Sequence, residues 1–186
     1  MLAPERVARS RIAAVALALC AGAAGAAAIG ACGYQPGSFR GAAGRASFAG
    51  QRATVGCLDV AVAGRWSPSP TVAQAVQVDF GNRCDRPVVV DFTALRAVGR
   101  DDGGREHALA IHDPRREIHP LSLEARTAGR EVIELRAGAA GQPARMQSAC
   151  VDVARLASGS RGERAAPRWL CVSRPPERVV RAEGEP

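Results

Sequence analysis

The chain has 186 residues and a formal charge of +7, and all 25 of its basic residues are arginine, since it contains no lysine. That absence excludes Schiff-base chemistry, phosphate-binding loops of the Gly-Lys-Ser/Thr kind and acylating enzymes built on Ser-x-x-Lys. The length allows one domain of about 120 residues once the ends are set aside. The arginines are scattered without interleaved aromatics, so no nucleic-acid partner is expected. With the abundant Ala, Gly and Pro they read as the codon bias of a GC-rich genome.

At the N-terminus, Arg6, Arg9 and Arg11 precede an uncharged run of 20 residues, Ile12 to Ala31, whose end is rich in small side chains. This is the build of a helical secretory signal. Its last residues, Ile29-Gly30-Ala31-Cys32, resemble the lipobox of bacterial lipoproteins: an aliphatic residue stands three before a cysteine, with two small residues between. The resemblance implies a signal peptide over residues 1–31 and Cys32 as the lipidated, palmitate-bearing first residue of the mature chain. It further implies a place in the bacterial cell envelope, anchored to the outer membrane and facing the periplasm or the surface. Three rivals stay open. Cys20 also follows aliphatic residues, but Leu19 is bulky where a small residue is wanted. The run could remain as a spanning helix, since about 20 apolar residues suffice, although Ala and Gly favour insertion weakly. Cleavage after Ala26-Ala27-Ala28 is the third. Removing residues 1–31 takes away three arginines and one glutamate and leaves +5.

Residues 32–52, rich in Gly, Ala, Ser and Gln, read as the lipidated N-terminus and a flexible tether. The domain is expected over 53–173, and a disordered tail over 174–186, where Pro175-Pro176 and mixed charge leave little to bury. Within the domain, short alternating segments recur between turn residues. Ala53 to Arg65 places Leu58, Val60 and Val62 on one face, and Trp66 to Pro70 must be a loop. Ala73 to Phe80 alternates Val76, Val78 and Phe80 against Gln77 and Asp79. Val88 to Val98 and His107 to Ile111 follow, then Leu121 to Ala125 and Glu131 to Leu135 as a hairpin about Thr127-Ala128-Gly129-Arg130. Cys150 to Leu156 and Arg168 to Ser173 complete eight strands. Such spacing predicts an all-β fold with two packed sheets. The phrase Val78-Asp79-Phe80-x-Asn82, followed by Arg86-Pro87-Val88-Val89-Val90, resembles immunoglobulin-like domains of bacterial envelope proteins. It implies an immunoglobulin-like two-sheet β-sandwich and no activity.

With Cys20 and Cys32 set aside, Cys57, Cys84, Cys150 and Cys171 remain, an even number that argues for two disulfides in an oxidising compartment. Folding the chain back at the Ser67–Pro70 loop brings Cys57 to Cys84, and folding at Ser158–Arg164 brings Cys150 to Cys171. The first pair is one residue out of step with its apolar alternation, which a bulge near Gly81 would reconcile.

Candidate chemistry is sparse. His107, His112 and His119 cluster in sequence with Glu106, Asp113 and Glu117, and imidazoles with carboxylates suit Zn or Cu. Their spacings of five and seven, broken by Pro114 and Pro120, do not preassemble a site, so neither metal nor cofactor is expected. His112-Asp113-Pro114-Arg115 is most simply a turn. Ser158-Gly159-Ser160-Arg161-Gly162 is a flexible loop and no nucleophile elbow, and Asp101-Asp102 beside two glycines is a solvated turn. Trp66 is the candidate exposed contact, while Trp169 reads as a half-buried strand residue. The expectation is a non-enzymatic envelope lipoprotein with a binding or assembly role toward an envelope protein. The alternative is a periplasmic metal-handling or enzymatic protein using His107–His119.

Overall fold

A computed structural model describes residues 33–41, 46–65, 67, 69, 72–137, 146–157 and 166–174. Among these the alternating segments build ten strands: β1 (Gln51–Val55), β2 (Leu58–Arg65), β3 (Gln74–Asn82), β4 (Val88–Val90), β5 (Arg96–Asp101), β6 (Glu106–Ile111), β7 (Leu121–Leu123), β8 (Ala128–Ala137), β9 (Met146–Asp152) and β10 (Trp169–Ser173). Eight form one antiparallel sheet in the order β1-β2-β3-β8-β6-β5-β9-β10, and β4 pairs with β7 in a small second sheet. The fold is all-β with its strands divided unequally. The large sheet curls until its ends meet: the Cys171 N–H on β10 donates to Oε1 of Gln51 on β1 at 2.8 Å, and β10 also packs on β2. The sheet is thus nearly a barrel, which leaves little open strand edge. Among the described residues no helix is long and apolar enough to cross a membrane.

The core fills the inside of this curl. Leu58, Val60 and Val62 of β2 meet Val76, Val78 and Phe80 of β3 and Ile133 and Leu135 of β8. Fully burying such side chains stabilises a fold by about 1.5–3 kcal/mol each. Phe92, from the 3-10 turn Phe92–Ala94, sits edge-on to Phe80 with ring centroids 5.4 Å apart.

The segment expected to be a tether is folded onto the domain. Tyr34 and Phe48 are buried and stacked, with centroids 5.7 Å apart, and Phe39 meets Phe48 edge-on. They cover the outer face of β2 and β3, where Ala61 and Gly81 leave room. A Cβ on Gly81 would lie 2.3 Å from the Tyr34 ring. Every residue of β3 is buried: Asp79 lies where the Ala49 N–H of the segment reaches it, and Gln77 lies where Arg65 Nε donates to its Oε1 at 2.8 Å. The first strand also begins earlier than the expected domain start at 53, since Gln51 and Arg52 pair with Val62 and Ala61. Three aromatics within an Ala- and Gly-rich stretch supply the apolar area that its composition hides. The signal, Cys32 and residues 175–186 lie outside the described residues. Arg174 N–H donates to the Gln147 carbonyl.

Other boundaries differ for local reasons. The expected strand Ala53–Arg65 is a hairpin, split where Gly56 takes φ +55° between Val55 and its partner Leu58. The expected strand Val88–Val98 breaks at Asp91, whose Oδ1 accepts from Thr93 N–H at 2.9 Å and caps the 3-10 turn. The hairpin about Thr127–Arg130 does not form: β7 pairs with β4 while β8 pairs with β3. Arg126, at φ +56°, turns the chain between the two sheets. Asn82 pins this crossing by donating from Nδ2 to the carbonyls of Arg86, Leu123 and Glu124.

Disulfides join Cys57 to Cys84 and Cys150 to Cys171. Cys150 and Cys171 face each other directly across β9 and β10. Cys57 and Cys84 lie just beyond the β2–β3 ladder, whose register runs unshifted from Leu58↔Asn82 to Arg65↔Ala75. No bulge at Gly81 is needed, because Cys84 has already left the strand.

Candidate functional site

Two places concentrate polar chemistry. On the outer face of β2 and β3, Asp59 and Asp79 are almost wholly buried. Asp59 accepts from Tyr34 Oη at 2.8 Å, Gly37 N–H at 2.6 Å and Thr54 Oγ1 at 2.6 Å. Asp79 accepts from Ala49 N–H at 2.9 Å, Gln77 Nε2 at 2.8 Å and Arg130 Nε at 2.5 Å. Burial and then the bond to Asp59 push the Tyr34 hydroxyl well above its usual range. These bonds tie Tyr34, Gly37 and Ala49 to β2 and β3, so the network holds the N-terminal segment down.

The second place is a cleft of about 600 Å³ between β8 and the segment 112–121. Its geometry follows from one proline. Strands β6 and β8 pair from Leu109↔Ala137 to Ile111↔Leu135, and His112 N–H donates to the Glu134 carbonyl at 2.7 Å. Continued one for one, the register would set Pro114 against Val132. Proline has no N–H to give and restricts Asp113 before it, so the ladder stops. The chain then swings away through a turn held by Asp113, whose carboxylate accepts from the N–H groups of Glu117 and Ile118 at 2.9 Å each. The Ile118 bond foremost keeps the Asp113 carboxyl below its usual range. Phe92, Ile118 and Leu121 give the cleft its apolar lining, and Val132, Glu134, Glu117, His112, His119 and Glu131 also line it. A second recess of about 310 Å³, lined by Thr93, Ile111 and Arg136, adjoins it through His112 and Pro114.

The histidines therefore separate. His112 and His119 line the cleft, whereas His107 on β6 lies against Asp101 at the β5–β6 turn, Nε2 to Oδ2 2.9 Å. Asp101 also accepts from the Arg105 backbone and Nε, and is an ordered acceptor instead of the solvated turn residue expected. With the His107 bond foremost, its carboxyl is held down to about 2. Among the described residues no three of His, Cys, Asp and Glu are placed to hold a metal together. Trp169 is exposed on β10 instead of half-buried, and Cys32, Trp66 and Ser158–Gly162 lie outside the described residues. The sequence reading missed Glu131 and Val132 as site residues, because a cleft beside a strand appears only once the strand's neighbours are known. Pro114 directly after a strand was the available signal.

No family model matches the chain, and no curated protein matches it. Among solved structures it is similar to the yjhA protein from Bacillus subtilis, at 11% identity and a TM-score of 0.43, over 68% of this chain and 97% of that one.

Proposed function

We propose that the chain is a non-enzymatic envelope lipoprotein: an immunoglobulin-like sandwich domain, anchored through a lipid at Cys32 and used for binding or assembly. The observation that carries the reading is the stretch Ile29-Gly30-Ala31-Cys32 at the end of a basic-then-apolar leader. Two disulfides are compatible with an oxidising compartment, and the cleft beside β8 is of the size that ligands occupy, about 300–1,000 Å³. Mass spectrometry of the mature N-terminus is the test, with a lipid-modified Cys32 expected. Changing Cys32 to Ser should abolish acylation and leave an unprocessed precursor. A free N-terminus between Gly22 and Ala31, or intact Met1, rejects the anchor. The alternative of metal handling through His107–His119 is tested by metal analysis of the same sample. Stoichiometric zinc or copper, lost in His112→Ala, would favour it over the binding role.

A further inference from the structure

The cleft beside β8 has a property that an ordinary pocket lacks: one wall is strand backbone. In an antiparallel strand, alternate residues turn their N–H and C=O groups to opposite neighbours. Glu134 turns its carbonyl to β6, so Val132 and Arg130 point the same way, toward where β6 would continue. No β6 residue reaches them. Among the described residues the Val132 N–H is met only by the carboxylate of its own neighbour, Glu131 Oε1, at 3.3 Å, and Val132 is 48% exposed. The slit thus combines an open backbone edge, an exposed β-branched residue and an apolar floor at Phe92.

From this arrangement we propose that the slit takes an extended peptide of a partner protein, which adds as a strand along the open edge of β8 at Arg130 and Val132 and carries a basic side chain toward Glu117 and Glu131. Main-chain bonds to the edge supply affinity in this recognition mode, and alternate side chains supply selectivity. The basic preference comes from charge. The chain is basic overall, yet the slit is lined by Glu117, Glu131 and Glu134 against Arg115, with Asp113 engaged in its turn. A basic residue is attracted at the slit of a chain whose net charge is positive, which favours docking there. The proposal names the ligand class for the binding role above, and rests on that role while needing no lipid anchor.

The test is selection of random octapeptides against the exported, disulfide-intact protein as purified, whatever its N-terminus. Enriched sequences should lack proline, alternate β-branched or aromatic residues with Lys or Arg, and slow amide exchange at Val132. Methylating alternate peptide nitrogens on the bonding edge should weaken binding about tenfold or more, because each blocked pair removes a main-chain bond. In the protein, Val132→Pro removes the slit-facing N–H while sparing the bonds to β3. Should that variant fold poorly, the pair Glu117→Gln and Glu131→Gln leaves the backbone untouched and should weaken basic peptides severalfold. Enriched peptides indifferent to N-methylation would mean a side-chain pocket and overturn strand addition while leaving a binding role standing. No enrichment over the Val132→Pro protein overturns strand addition. Self-association lost in Val132→Pro, without peptide selection, would assign the edge to a second copy of this chain and overturn the proposal.

Discussion

Asp59 is fully buried and makes its bonds to three donors, two of them supplied by the N-terminal segment, so that one carboxylate ties the segment to β2. Removing one donor to a buried charge costs more than an average hydrogen bond, about 1.5–3 kcal/mol. Tyr34→Phe keeps the ring on Gly81 and deletes only the hydroxyl, so it should lower unfolding stability by about 2 kcal/mol in urea titration. A loss below about 0.5 kcal/mol would show that water replaces the hydroxyl and that the segment is held by ring packing alone. Asp101 makes a prediction in pH. Its carboxyl titrates at about 2 in the fold against its usual 3.8, so as pH falls the unfolded chain takes up its proton first. The stability it contributes is complete above pH 3.8 and is lost progressively as pH falls to about 2. Asp101→Asn should therefore be less stable than the parent at pH 5, with the gap closing toward pH 2. A gap that stays constant across that window would mean the His107 and Arg105 contacts add nothing charge-dependent.

Between strands, the outcome depends on which faces find a cover. The alternation of Val76, Val78 and Phe80 was legible in the sequence because an apolar face of period two reports its own burial. The cover over Asp79 was not legible, since a polar residue buried by a distant segment looks the same as a polar residue left in water. The N-terminal segment escaped for the complementary reason: Tyr34, Phe39 and Phe48 lie five and nine apart and share no strand or helix period, and they work only as a stack. The slit was half legible. Pro114 announces that the strand ends, but that its end uncovers β8 follows from the β6–β8 register, a long-range pairing that local residues do not encode. Gly81 tests the cover directly. Gly81→Ala drives a methyl into the Tyr34 ring, and relieving such overlap typically costs about 1–3 kcal/mol. The ring can escape only outward, so amide exchange should rise across residues 34–41 and 46–49 while β5, β9 and β10 keep their protection. A uniform rise over all strands would mean that the cover and the large sheet unfold as one unit.

At the scale of the whole molecule, the two disulfides close loops of 27 and 21 residues, and by chain entropy each should stabilise the domain by about 3 kcal/mol. Replacing Cys150 and Cys171 together with Ala should cost about that much in urea titration. The folded N-terminal segment has a larger consequence for the anchor. Tyr34 N–H donates to the Arg126 carbonyl, and Gly33 lies against the same turn. If Cys32 is acylated as proposed, a single residue separates the lipid from this fixed point, and consecutive Cα atoms are only about 3.8 Å apart. The domain would then stand on the bilayer with the turns carrying Asp85, Arg86 and Arg126 against the headgroups, unable to swing as it would on a twenty-residue linker. By register, the Asp101–Gly104 turn lies beyond the far end of β8, about 30 Å away along a ten-residue strand. A fluorescent residue incorporated at position 86 of the vesicle-bound protein should be quenched strongly by headgroup-borne quencher, and one at position 103 should be spared. Coupling a maleimide lipid to an unacylated Cys32 allows the same comparison if the cell does not attach one, which separates the orientation from the lipidation. Equal quenching at the two positions would mean that the contact of Tyr34 with the Arg126 turn opens at the membrane and the segment acts as a tether after all.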